Sequence, residues 1–145
     1  MTISQTVQVV QRSDYRPPAW WIDNVALEFD LDPTHTLVTA RIEVRRNEGQ
    51  PPHPLELAGE HLQLQTVVID GKELSANQYS VTDELLVLAD LPDECVIETQ
   101  VIVSPVTNKA LTGLYQTSGN YCTQCEAMGF RRITYCLDLP GVMAT

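Results

Sequence analysis

Short runs in which apolar and polar residues alternate, each closed by a turn signal, leave this chain little alternative to a β fold. Val25, Leu27, Phe29 and Leu31 alternate with Ala26, Glu28 and Asp30, the period of two that puts successive side chains on opposite faces of a strand. The pattern predicts a strand from about Ile22. Asp32-Pro33-Thr34-His35 then supplies turn chemistry, because proline presets φ and an aspartate carboxylate bonds to its own backbone. Beyond it Val38, Ala40, Ile42 and Val44 alternate with Thr39, Arg41, Glu43 and Arg45, so the two runs read as an antiparallel hairpin.

The same grammar continues to Ser104. Gly49, Pro51, Pro52 and Pro54 make residues 47–54 a loop, since proline removes a donor and restricts the residue before it. Apolar runs follow at Leu55–Leu57, Leu62–Ile69, Tyr79–Val81 and Leu85–Leu88, with Asp70-Gly71 as a tight-turn pair and Leu91-Pro92-Asp93 as a further break. Val96–Val103, rich in β-branched residues and stopped by Ser104-Pro105, reads as a strand covered on both faces. No ten-residue stretch before Pro105 has helical periodicity. The expected fold class is all-β, an antiparallel sandwich or saddle-like sheet with an irregular C-terminal segment.

Size and charge narrow the function classes. The chain has 145 residues, enough for one domain with a core that needs no disulfides. Nine Lys plus Arg face nineteen Asp plus Glu, a formal net charge of -10, which argues against nucleic-acid or anionic-membrane partners because both are bound by basic surfaces. Residues 1–15 contain no apolar run of signal length, and no stretch approaches the ~20 apolar residues of a membrane span. The expectation is a soluble, cytoplasmic protein. There Cys95, Cys122, Cys125 and Cys136 would be thiols or metal ligands rather than a disulfide framework.

Reactive and polar side chains concentrate after Asn108, and two chemistries compete for Tyr121-Cys122-Thr123-Gln124-Cys125-Glu126-Ala127. In one, Cys122 and Cys125 form a C-x-x-C pair for metal binding or thiol exchange. A structural zinc requires four ligands, whereas Cys95 and Cys136 lie far off without a second C-x-x-C, and a redox pair requires a helix start that is missing here. In the other, Gln124 and Glu126 are the functional pair. If the segment is extended, positions i and i+2 share a face, and an amide carbonyl and a carboxylate project together as acceptors for an ammonium group. The competing structural reading is that Glu126 pairs with Arg131 or Arg132 at the surface, worth only about 0–1 kcal/mol.

Ala110-Leu111-Thr112-Gly113-Leu114-Tyr115-Gln116, then Cys122-Thr123-Gln124-Cys125-Glu126-Ala127, Gly129-Phe130-Arg131, Ile133-Thr134-Tyr135, Leu137-Asp138 and Pro140 closely resemble the N-terminal domain of bacterial aminopeptidases of the aminopeptidase N type, in the zinc-dependent gluzincin family. Asp14-Tyr15-Arg16-Pro17-Pro18 and Phe29-Asp30-Leu31-Asp32 are similar to that family's start. The resemblance implies an N-terminal tail over residues 1–13 and, over 14–145, a β-rich domain that packs on a thermolysin-like catalytic domain and lends it one loop. Its T-Q-C-E segment implies that Gln124 and Glu126 bind the free α-amino group of peptide N-termini. Leu139 and Gly141 depart from the family's usual Arg and Asp, and Cys136 follows Tyr135.

The family's zinc site requires H-E-x-x-H and a downstream Glu. His35, His53 and His61 lack that spacing, and the G-x-M-E-N exopeptidase motif is missing too. The chain is therefore expected to bind no metal and to be inactive alone, Zn2+ belonging to the full-length enzyme. A stand-alone all-β binding module without peptidase chemistry is the alternative from a different class, and a thiol or zinc protein built on Cys122 and Cys125 is a third.

Overall fold

The computed structural model describes residues 11–139 and 141–145, so residues 1–10 of the expected tail, and Pro140, lie outside the described residues. The opening hairpin forms as expected from strands β1 (Trp20–Asp30) and β2 (Thr36–Arg46). At its turn the Asp32 carboxylate accepts bonds from the backbone N–H of Thr34 (2.8 Å) and His35 (2.9 Å). The first strand starts two residues earlier than the alternation suggested, because its register shifts between Ile22 and Asn24. Asp23 is thereby the extra residue of a β-bulge, and the bulge puts Trp20 and Ile22 on the same face as Val25, Leu27 and Phe29, which simple alternation would oppose. Ile22, Val25, Leu27 and Phe29 then stand across from Val44, Ile42, Ala40 and Val38.

Six further strands complete two facing sheets: β3 (Leu55–Ala58), β4 (Gln63–Ile69), β5 (Lys72–Glu73), β6 (Ser80–Val81), β7 (Leu85–Leu88) and β8 (Glu94–Val103). The larger sheet has the order β1-β2-β8-β4-β5 and the smaller β3-β7-β6, all antiparallel. Asp70 and Gly71, with φ of 49° and 80°, turn β4 into β5 with the two left-handed residues of a type I′ hairpin. Between the sheets lie Val38, Ala40 and Ile42 of β2, Ile97 and Val101 of β8, Leu55 and Leu57 of β3, and Leu86 and Leu88 of β7, all essentially inaccessible to solvent.

One expectation is corrected. The strand around Val96–Val103 is covered on one face only: Cys95, Ile97, Thr99, Val101 and Val103 are buried, while Val96, Glu98, Gln100 and Ile102 are half-exposed on the other. Glu98 and Gln100 mark that outer face, where Gln100 accepts a bond from Thr66 (3.3 Å) and Glu98 lies 3.9 Å from Arg41. The irregular C-terminal segment, which runs on from Cys125, is preceded by one more regular unit. Strands β9 (Gly113–Thr117) and β10 (Asn120–Gln124) form a separate hairpin around Ser118 and Gly119, whose φ values of 49° and 81° again make a type I′ turn.

The remainder of the segment docks on the sandwich. A single 3₁₀ turn, Phe130–Arg132, leads into Ile133, Thr134, Tyr135 and Cys136, all buried. Cys136 forms an antiparallel bridge with Ala58 through bonds of 2.7 and 3.0 Å. The Tyr135 ring lies so close over Gly59 that any Cβ there would collide with it. Among the described residues no helix is long and apolar enough to cross a membrane.

The one-sided burial of β8 has a measurable signature. Ile97→Ala should cost about 2–5 kcal/mol of unfolding free energy in urea titrations, the usual penalty for a core truncation, and Val96→Ala no more than about 1 kcal/mol. Equal losses at both positions would restore the two-sided reading.

Candidate functional site

The β9–β10 hairpin and the turn after it carry the residues singled out in the sequence. Gln124 is the last residue of β10 and stands opposite Gly113, the first of β9. The strand stops there, and Cys125–Gly129 folds back as a turn closed by a bond from the Gly129 N–H to the Cys125 carbonyl (2.9 Å). The Glu126–Ala127 peptide within it is cis. Gln124 and Glu126 are both exposed. The strand ends at Gln124, so Glu126 stands in the turn and the alternation of an extended strand does not set its direction relative to Gln124.

Two glycines make the turn possible. Gly113 has φ of 77°, in the left-handed region, and a Cβ on it would sit 2.6 Å from the Cβ of Arg132. Gly129 lies directly against the Gln124 carbonyl, and a side chain there would also meet Thr112 at 2.8 Å. The turn therefore packs backbone on backbone where only glycine fits.

Charge pairing around the turn differs from the simplest surface reading. Arg131 donates to Asp138 (2.8 Å) and Arg132 to Glu60 (2.8 Å). Neither is committed to Glu126, which has no ion-pair partner among the described residues. The bond from Arg132 holds the Glu60 carboxyl below the usual carboxylate range, and the bond to Asp138 raises the Arg131 guanidinium further.

The cysteine chemistry finds no support in the geometry. Cys122 is half-buried in β10 and Cys125 is exposed just past its end, both as free thiols. Desolvation, followed by the Asp138 charge, pushes the Cys125 thiol up, whereas a redox or metal-binding thiol needs the opposite shift. Burial raises Cys95 to about 11 and Cys136 to about 12. No three His, Cys, Asp or Glu side chains gather into a possible metal site among the described residues. His35 bonds Thr34 in the β1–β2 turn, His53 bonds the Pro54 carbonyl, and His61 stands beside Glu60 in the β3–β4 loop.

Sequence reasoning missed Glu60 and Asp138. Glu60 lies 72 positions from Arg132, and a long-range pair leaves no local signal. Gly113 and Gly129 were legible as glycines in a polar stretch, but not as the close-packing points that shape the turn.

The fold and site define an antiparallel β-sandwich domain whose C-terminal hairpin presents at its end an amide and a carboxylate with no ion-pair partner among the described residues. The chain belongs to the peptidase M1 N-terminal domain family, whose model matches residues 14–145. It is 48% identical over 141 residues to aminopeptidase N of Caulobacter vibrioides, an alignment that takes in 97% of this chain and 16% of that protein. Aminopeptidase N of Escherichia coli is 42% identical over 142 residues, 98% of this chain and again 16% of the relative. The crystal structure of Legionella pneumophila aminopeptidase A in complex with aspartic acid superposes with a TM-score of 0.77 at 29% identity, over 86% of this chain and 15% of that one. The chain thus spans about a sixth of the length of the curated relatives it matches.

Gly129→Ala should speed hydrogen exchange at the residue-129 amide, measured by NMR, because the added methyl forces the turn off the Gln124 carbonyl and opens the bond to Cys125. Alkaline pH tests the buried thiols. A thiol whose pKa is raised on folding contributes stability below its unfolded pKa and loses it as pH rises towards the folded value. Unfolding free energy should therefore fall as pH climbs from about 9 towards 12, and this slope should be shallower in Cys136→Ala.

Proposed function

We propose that this chain is the N-terminal substrate-recognition domain of a zinc metalloaminopeptidase, residues 14–145 preceding the catalytic domain of the same polypeptide. Gln124 and Glu126 receive the free α-ammonium group of a peptide N-terminus. The observation that carries this reading is the exposed Glu126 carboxylate, left without a cation among the described residues although Arg131 and Arg132 follow within six residues. An ammonium group brings three donors and a positive charge. The carboxylate supplies the charge-assisted acceptor, and the Gln124 carbonyl supplies a second, neutral one.

Such a site selects exopeptidase substrates by difference. An internal peptide nitrogen carries no charge, so its binding would leave a carboxylate desolvated and unpaired. This chain's own histidines and cysteines do not fit a catalytic zinc, since they are dispersed over the β1–β2 turn, two loops, β8, β10 and the C-terminal segment. Zinc belongs to the catalytic domain, where it would activate the attacking water. The contribution of this chain is to hold and orient the substrate's amine.

Glu126→Ala in the full-length enzyme should lower kcat/KM for free-amine peptides by about 2–5 kcal/mol if the pair is desolvated in the complex. Steady-state kinetics unchanged from the parent enzyme would overturn the assignment.

A further inference from the structure

We infer that Glu60 is a positioning residue for amine recognition, holding from the sandwich the turn that places Gln124 and Glu126; this rests on the function proposed above. Glu60 lies between β3 and β4, outside the hairpin, and grips the 3₁₀ turn Phe130–Arg132 at two points. Its backbone N–H donates to the Arg131 carbonyl (2.9 Å), and its carboxylate accepts from the Arg132 guanidinium (2.8 Å). From Arg132 the connection runs directly to the site. The Arg132 N–H donates to the Gly129 carbonyl (3.0 Å), and the Gly129 N–H donates to the Cys125 carbonyl (2.9 Å). Gly129 also rests on the Gln124 carbonyl, while Arg132 closes over Gly113, the residue across from Gln124.

Every hydrogen bond but one in this path is backbone to backbone, and the exception is the Glu60–Arg132 ion pair. Glu60 keeps 38% of its side-chain surface and Arg132 18%, so the pair is too wet to contribute much to global stability. It does fix where the Arg132 backbone sits relative to the sandwich, and with it the start and end of the Cys125–Gly129 turn. The second arginine adds a parallel tie, since Arg131 bonds Asp138 and lies 3.2 Å from the Met128 sulfur within the same turn. Misplacing a substrate-binding group by about an ångström weakens binding without altering the chemistry at the scissile bond.

The test is steady-state kinetics of the full-length enzyme on an aminoacyl p-nitroanilide. Glu60→Gln keeps the backbone bond and removes the charge, and should raise KM about tenfold with kcat within twofold of the parent. Arg132→Ala should raise KM similarly, and the double variant should be no worse than either single one, because both remove the same tie. A fall in kcat at unchanged KM would mean lost folded enzyme and would overturn the positioning role, as would unchanged kinetics in Glu60→Gln or additive KM effects in the double variant. Glu126→Ala separates the two readings: if it is impaired while Glu60→Gln is not, only the role of Glu60 falls, and if it is unimpaired both fall.

Discussion

The structure depends on the antiparallel ladder between β2 and β8, whose inward faces are filled without a gap. Thr36, Val38, Ala40, Ile42 and Val44 from one strand and Cys95, Ile97, Thr99, Val101 and Val103 from the other are all buried. Strands as short as β3 and β7, of four residues each, are not stable alone and require a broad apolar face to lie on. The ladder supplies that face. One end of the sandwich is closed by Trp20, whose ring is covered by the Arg46 guanidinium at 4.3 Å and whose Nε1 donates to the His53 carbonyl at 2.9 Å. One face of the indole and its polar edge are thus both engaged, and a residue of that size can close the core without an unpaired donor.

That core is also the seat of the β9–β10 hairpin. The hairpin is not part of either sheet, and a two-stranded ribbon is marginal by itself. Asn108 ahead of it donates to the Thr112 and Leu114 carbonyls, and the segment that follows it is pinned by the Ala58–Cys136 bridge, by the Tyr135 ring over Gly59, and by the ion pairs from Arg131 and Arg132. Residues 58–60 supply a contact in three of these last four. A short loop after a buried strand therefore serves as the platform on which the exposed turn is built, and binding groups on a loop acquire the precision of the scaffold beneath them.

Most strands could be read from the chain because one-sided burial writes a period of two into the sequence. Val38, Ala40, Ile42 and Val44 are such a case, and Asp70-Gly71 announced its turn through the need for positive φ. The failures have equally physical causes. Val96 and Ile102 placed β-branched residues on the outer face of β8 and disguised its polarity, although Glu98 and Gln100 alternate with the buried set. The bulge at Asp23 inverts the phase of β1, which no periodicity count can register. The β9–β10 hairpin escaped because Gln116, Thr117, Asn120 and Thr123 leave it almost no apolar alternation. At the site, Gln124 and Glu126 were legible through resemblance, while Glu60 was not, since sequence distance conceals a contact made by the fold.

Unpaired acids are ordinary in a chain with nineteen Asp plus Glu and nine Lys plus Arg, so exposure of one more carboxylate carries no information by itself. Position makes Glu126 different. Two arginines follow it in sequence, within reach of a surface pair worth about 0–1 kcal/mol. Here both guanidiniums are turned away, each by a better-placed partner: Asp138 in the docked C-terminal segment and Glu60 in the β3–β4 loop. The same two bonds that hold the turn in place also keep its own cations from neutralising it. The position of the Glu126 carboxylate and its lack of an ion-pair partner among the described residues thus follow from the same pair of contacts.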